Sequence, residues 1–391
     1  MRLGDCGKTN LHTYSDKEKW SLIRYLDTGS ITEGRIDEIQ TLYPGVDKIP
    51  SRARRKASVG DILFSTVRPN QKHYGIIEAG TENLLVSTGF TVVTVDTTIA
   101  DPYFIYYYLT QSSVIESLQA IAEQSASTYP SIKPSDIEDI ELDLPELETQ
   151  KKIGSTLRML DRKIALNEEI NDNLEQQAQS YFQELFVDNA DPEWTTGTIS
   201  DLGTVVGGST PSKAKPEYYT ESGIAWITPK DLSNNKSKFV SHGENDITEL
   251  GLRNSSASIM PEGTVLFSSR APIGYIAIAA GEVTTNQGFK SVVPKPEIGT
   301  PFVYFFLKNT LPVIEGMASG STFKEVSGST MKNVPAVIPD AETLAKFSDF
   351  CAPIFAQQRI LEEQNQSLAT LRDNLLPKLM SGEIDVSAVQ L

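Results

Sequence analysis

Cysteine is nearly missing from this chain of 391 residues, which has only Cys6 and Cys351. Two thiols so far apart give neither a disulfide framework nor the paired spacing of a zinc site. Histidine is equally scarce: His12, His73 and His242 are scattered, and no metal centre is expected. Long apolar runs are lacking too. The longest nearly apolar stretch, Ala271 to Ala280, falls far short of the roughly 20 residues that span a bilayer, and Met1 to Asn10 has no apolar core. A cytoplasmic location without membrane contact is therefore expected. Positive charge is also short, with 35 Lys and Arg against 51 Asp and Glu, which argues against coating nucleic acid by bulk electrostatics.

Signatures of catalysis are missing as well. Gly7-Lys8-Thr9 has the end of a phosphate-binding loop, but Arg2 stands where its first glycine is required. Asp101-Pro102-Tyr103-Phe104 departs at its third residue from the Asp-Pro-Pro-Tyr signature of amino-methyltransferases, and reads instead as a helix start with Pro in the first turn. No G-x-G-x-x-G cofactor loop occurs. The acidic run Asp136 to Asp143 has no Lys beside a metal-binding carboxylate pair and reads as a solvated face. No catalytic residue and no cofactor bound by this chain are expected.

What the chain does have is a copy of itself. Gly60-Asp61-Ile62-Leu63-Phe64-Ser65 returns as Gly263-Thr264-Val265-Leu266-Phe267-Ser268, and Arg68-Pro69 is answered by Arg270-Ala271-Pro272. Thr88-Gly89-Phe90 answers Gln287-Gly288-Phe289, and Phe104 to Leu109 answers Phe302 to Leu307. Ser127-Thr128-Tyr129 then matches Ser321-Thr322-Phe323. The order is kept while the offset drifts from 203 to 194, as expected of a duplicated domain with loop changes.

Each copy ends in a long stretch nearly free of Gly and Pro. In the first, apolar or tolerated residues fall in 4,3 spacing at Ile153, Leu157, Leu160, Ile164, Asn167, Asn171, Leu174, Ala178, Tyr181 and Leu185. In the second they are Phe347, Cys351, Ile354, Gln358, Leu361, Asn365, Leu368, Arg372, Leu375 and Leu379. Such spacing predicts two helices packed along a coiled-coil seam, with Asn171 and Asn365 near its middle. About 40 helical residues make a rod near 60 Å long. The expected fold class is mixed α/β (α+β). It comprises a globular domain at 1–145, a spacer helix at 146–187, a second globular domain at 188–339, and a second helix with its tail at 340–391. Phe90 to Val95 and Gly274 to Ile278 read as strands, and Tyr103 to Gln111 and Phe302 to Lys308 as short amphipathic helices.

Positive charge, though scarce, is concentrated. Between Gly45 and Gly75 stand Lys48, Arg52, Arg54, Arg55, Lys56, Arg68 and Lys72 against only Asp47 and Asp61, in a domain with 14 basic and 20 acidic residues. Lys213, Lys215, Lys230, Lys236, Lys238, Arg253 and Arg270 lie along polar segments of the second domain. Arginine forks can pair with guanine edges, and either cation neutralises phosphate, so these are candidate DNA contacts. Gly207-Gly208-Ser209-Thr210-Pro211 is a small-residue turn whose N–H groups could approach a phosphate.

At this point the chain resembles the specificity (S) subunit of type I restriction-modification systems. The resemblance rests on Thr204 to Pro211 with Tyr218-Tyr219, Ile224 to Thr228, Gly263 to Phe267, Arg270 to Gly274 and Thr285 to Phe289. Leu142 to Pro145 before the first helix and Leu375 to Ile384 at the close extend it over essentially the whole chain. The first domain departs from the pattern, with Thr28-Gly29-Ser30-Ile31-Thr32 for the opening and Thr88-Gly89 for Asn-Gln-Gly. The resemblance implies a non-catalytic subunit that reads a split, asymmetric site in double-stranded DNA, one domain per half. Antiparallel helices would hold two methyltransferase subunits, and a restriction-translocase subunit would join them. S-adenosylmethionine, ATP and Mg would sit on those partners. From the residues alone, a tandem-domain coiled-coil adaptor that binds proteins stays open as the alternative.

Overall fold

In the computed structural model, which describes residues 1–125, 129–320 and 324–386, the repeat becomes one sheet built twice. Ser127, Thr128 and Ser321-Thr322-Phe323 lie outside the described residues. The chain divides into two compact units, Met1–Ile164 with Ser367–Leu391, and Ala165–Gln366.

In the first unit, strands Gly7–Thr9, Phe90–Val95, Ile62–Ser65 and Tyr74–Ile76 lie side by side in that order, all antiparallel. In the second, Gly203–Gly207, Lys290–Pro294, Val265–Ser269 and Ile273–Ala279 repeat the order and directions, and Phe239–Val240 adds a parallel edge. A further parallel pair recurs: Ile23–Leu26 beside Leu84–Ser87, and Trp226–Ile227 beside Thr284–Thr285. The β-branched run Phe90-Thr-Val-Val-Thr-Val suits a central strand, buried on both faces except at Thr94.

Behind each sheet lies an aromatic helix, Pro102–Leu109 or Thr300–Met317. Asp101 caps the first, its Oδ1 accepting from the Phe104 N–H at 2.9 Å, and Pro102 takes the first helical position. Neither helix is amphipathic as the sequence had suggested. Phe104 to Tyr107 and Leu109 are buried, as are Phe302 to Leu307, because a sheet covers one side and a long helix the other. The second runs nine residues beyond the expected end at Lys308, to Met317. Each fully buried Phe contributes about 1.5–3 kcal/mol of burial.

The long helices span Leu147–Gln183 and Ala341–Met380. All ten residues proposed for each seam are buried or half-buried. Within the first unit, Ile153 and Leu157 share a core with Leu379 and Val386, and Arg372 Nη1 meets Asp161 Oδ1 at 2.7 Å. Within the second, Asn167 faces Asn365, Asn171 faces Gln358, and Tyr181 faces Phe347. Partners fall in number as the first helix rises, so these stretches run antiparallel. Both asparagines make amide contacts: Asn167 Nδ2 donates to Asn365 Oδ1 at 2.8 Å, while the Asn171 carbonyl oxygen of the backbone accepts from Gln358 Nε2 at 3.2 Å. The single glycine within this helix has a steric cause. A Cβ on Gly154 would come within 2.6 Å of Asp101 Oδ1 and 3.0 Å of the Phe104 nitrogen.

Each unit is pinned to the first long helix through a carboxylate. Asp161 accepts from the Tyr107 hydroxyl at 2.5 Å and binds Arg372. Glu175 accepts from Lys308 at 2.5 Å and from the Tyr304 hydroxyl at 3.1 Å, and pairs with Lys238. Lys238 Nζ also donates to Gln358 Oε1 at 2.6 Å and lies 4.0 Å from the centre of the Phe355 ring. Burial alone would raise the Glu175 carboxyl, but the two ammonium groups outweigh it and hold it below the usual carboxylate range. Glu175→Ala would leave Lys238 buried without its carboxylate partner. We expect a loss of about 3 kcal/mol in urea denaturation at pH 7, at the low end for a broken buried pair because Glu175 is 21% exposed. A depressed carboxyl adds stability above its unfolded pKa of about 4.3, which is lost as pH falls through the folded value. The variant's deficit should therefore shrink below about pH 4; a constant deficit would remove the ion pair as its cause.

Candidate nucleic-acid interface

In the first unit the basic run forms an edge strand, Ala53–Lys56, beside Leu84–Ser87. Lys48, Arg52, Arg68 and Lys72 are exposed, and Arg54, Arg55 and Lys56 half-buried. Arg55 Nη1 donates to Asn10 Oδ1 at 2.6 Å, and burial lowers the pKa of its guanidinium. Lys56 pairs with Glu18 and lies 5.1 Å from the Trp20 ring centre, and Lys72 pairs with Glu33. Among the described residues Lys48, Arg52 and Arg68 have no carboxylate partner. Arg68 instead stacks on Tyr129, 5.2 Å from the ring centre. Beside the strand lies a cleft of about 500 Å³ whose lining includes Tyr14, Trp20, Pro44, Ile49, Lys19 and Arg54.

The second unit spends more of its charge internally. Lys213 and Lys236 are exposed and carry no ion pair among the described residues. Lys215 pairs with Glu217 at 3.5 Å, Lys230 with Glu244 at 2.7 Å and Arg253 with Glu249 at 3.8 Å, all at the surface. Such pairs contribute little, so those cations can exchange partners. Arg270 lies 3.6 Å from Glu325, which is also 3.7 Å from Lys290, a cation the sequence had not brought forward.

Two expectations are corrected. Lys238 does not lie on an exposed polar loop: its side chain is 6% exposed and held by Glu175 and Gln358. The Gly207–Pro211 turn is not an open amide nest either. The Gly208 N–H points to the Phe289 carbonyl at 3.4 Å and the Ser209 N–H donates to the Thr285 carbonyl at 2.8 Å. The Ser209 carbonyl accepts from Trp226 Nε1 at 3.0 Å, the Pro211 carbonyl accepts from the Tyr219 hydroxyl at 2.6 Å, and Thr210 bonds Gln287. The motif residues around 207–211, 219, 226 and 285–289 therefore meet as one internally bonded loop cluster that shapes a surface.

This geometry can be set beside known proteins. The type I restriction modification DNA specificity domain matches residues 53–176 and again 192–371. The chain belongs to this family. Two matches in one chain agree with the doubled sheet. The type I restriction enzyme HindI specificity subunit of Haemophilus influenzae is 25% identical, with 98% of both chains covered. The MjaIX specificity subunit of Methanocaldococcus jannaschii is 39% identical over 47% of this chain and 45% of its own. The crystal structure of a type I restriction-modification system S subunit from M. genitalium shares the fold, with TM-score 0.58 and 17% identity over 97% of this chain and 95% of that one.

In this specificity-family chain the tightest point of the loop cluster is Gly208. A Cβ there would lie 1.9 Å from the Asn286 carbonyl oxygen and 2.4 Å from Thr285 Oγ1. Gly208→Ala must push the two loops apart, at about 1–3 kcal/mol. A fall in the melting temperature of several degrees is expected, with faster proteolysis near residue 208. An unchanged melting curve would mean that the loops are not packed this closely.

Proposed function

We propose that this chain is the non-catalytic address of a type I restriction-modification complex. It reads a bipartite, asymmetric sequence in double-stranded DNA, with one domain for each half-site. The observation that supports this most is the doubled domain: the same sheet is built twice from sequences that differ in their exposed cations. Two unequal copies suit two different half-sites. Lys48, Arg52, Arg54, Arg55, Lys56, Arg68 and Lys72 serve one half. Lys213, Lys215, Lys230, Lys236, Arg253 and Arg270 serve the other. Phosphate contacts position and base contacts specify, so a few local cations suffice in an acidic chain when partners supply the remaining phosphate contacts.

The long helices act as spacer and as seat for two methyltransferase subunits. Leu166, Ile170 and Ile360 leave apolar side chains exposed there, which partner subunits would cover. Those subunits bring S-adenosylmethionine and adenine methylation, and a restriction-translocase subunit brings ATP and Mg. The complex works in the cytoplasm.

The test is single-molecule sequencing of DNA from cells expressing this chain with its methyltransferase, scored for adenine methylation against the methyltransferase alone. A split motif that depends on this chain is expected; no new motif from a stable, active complex would overturn the proposal. Exchanging residues 1–145 for those of a relative should then change one half of the motif. Change in both halves or in neither would count against independent reading.

A further inference from the structure

Matching the two copies bond by bond exposes a difference that their sequences hide. Ile132 N–H donates to the Thr66 carbonyl at 2.9 Å, and Val326 N–H donates to the Ser269 carbonyl at 3.0 Å. Phe90 stands opposite Ser65, and Phe289 opposite Ser268. Arg68 and Ala271 each precede a proline and share a left-handed backbone, with φ of 49° and 50°. Arg270 therefore corresponds to Val67 and not, as the sequence suggested, to Arg68. By the same register Lys290 corresponds to Thr91, and Glu325 to Ser131.

Three uncharged positions of the first copy have thus become cation, cation and anion in the second. Val67 pairs across the strands with Ser131, and in the same place Arg270 faces Glu325 at 3.6 Å. Lys290 Nζ lies 3.7 Å from Glu325, 3.4 Å from Ser269 Oγ and 3.3 Å from the Gln287 carbonyl. Arg270 and Glu325 are 38% and 40% exposed, so the cluster opens to solvent, while Lys290 is 15% exposed. One carboxylate stands between two cations, and both ion-pair distances exceed ordinary charge-assisted hydrogen bonds of about 2.7–2.9 Å. The carboxylate screens the two cations from each other and leaves a net positive charge, which a phosphate with two free oxygens would match.

We propose that Arg270 and Lys290 form a clamp for a DNA backbone phosphate in the second domain, and that Glu325 is the counter-ion which the phosphate displaces. This rests on the DNA-reading function proposed above.

The test uses the full chain co-purified with its methyltransferase partner, and duplexes carrying the methylated motif or a scrambled one. Glu325→Gln keeps the shape and removes the competing charge. At about 0.1 M salt it should tighten binding to both duplexes by roughly three- to tenfold, with the gain fading at higher salt. Arg270→Ala and Lys290→Ala should each weaken both duplexes, and the double variant should lower the slope of log K against log salt by about one, as for one lost phosphate contact. If wild type selects the motif but Glu325→Gln binds as wild type does, the clamp is wrong while the function stands. Effects confined to the motif duplex would also overturn it, since they would mark a base contact. A wild-type complex with no preference for the motif would instead bring down the underlying function.

Discussion

A carboxylate on the first long helix organises the second unit. Glu175 gathers Lys238, Lys308 and the Tyr304 hydroxyl, and so ties an edge strand and an aromatic helix to one helical turn. The next link is Glu362 on the second long helix, whose two oxygens accept the backbone N–H groups of Lys238 and Phe239 at 2.7 and 3.0 Å. Apolar packing of Phe305, Phe347 and Phe355 surrounds these bonds but has no direction of its own. Ion pairs and hydrogen bonds with buried partners do, and they fix which way the sheet is presented. The first unit reaches the same end with other residues, Asp161 between Tyr107 and Arg372. The two units thus use a carboxylate of the first long helix to the same effect, from different positions and with different donors.

Much of the architecture was legible in the sequence. Period and order survive any change of environment, so the repeat and the strands at Phe90–Val95 and Ile273–Ala279 could be read directly. Even the weak second seam, with Gln358, Asn365 and Arg372 among its members, is buried or half-buried at every position. The exact amide partner was not legible. Sequence spacing gives the face of a helix but not its axial register, which side-chain packing sets.

The site was harder. Lys238 looked like its exposed neighbour Lys236, and only residues 63 and 120 positions away, Glu175 and Gln358, draw it inside. The glycines at 207–208 suggested an anion turn. The small size of Gly208 instead serves close backbone packing, a use that the same residue signals equally well. Lys290 could have been found by aligning Gly288-Phe289-Lys290 with Gly89-Phe90-Thr91, but its carboxylate neighbour lies 35 residues further on.

The division of the chain bears on how it is made. The second unit is one contiguous stretch, Ala165–Gln366, whereas the first is completed by residues from Ser367 onward. Leu379 and Val386 lie in the same core as Leu3, Phe104 and Leu157. On the ribosome the first unit emerges early yet lacks a wall of its core until about 200 further residues have been added, so its apolar surface waits uncovered while the second unit can close. Of the two copies of one fold, the one synthesised first is the one finished last.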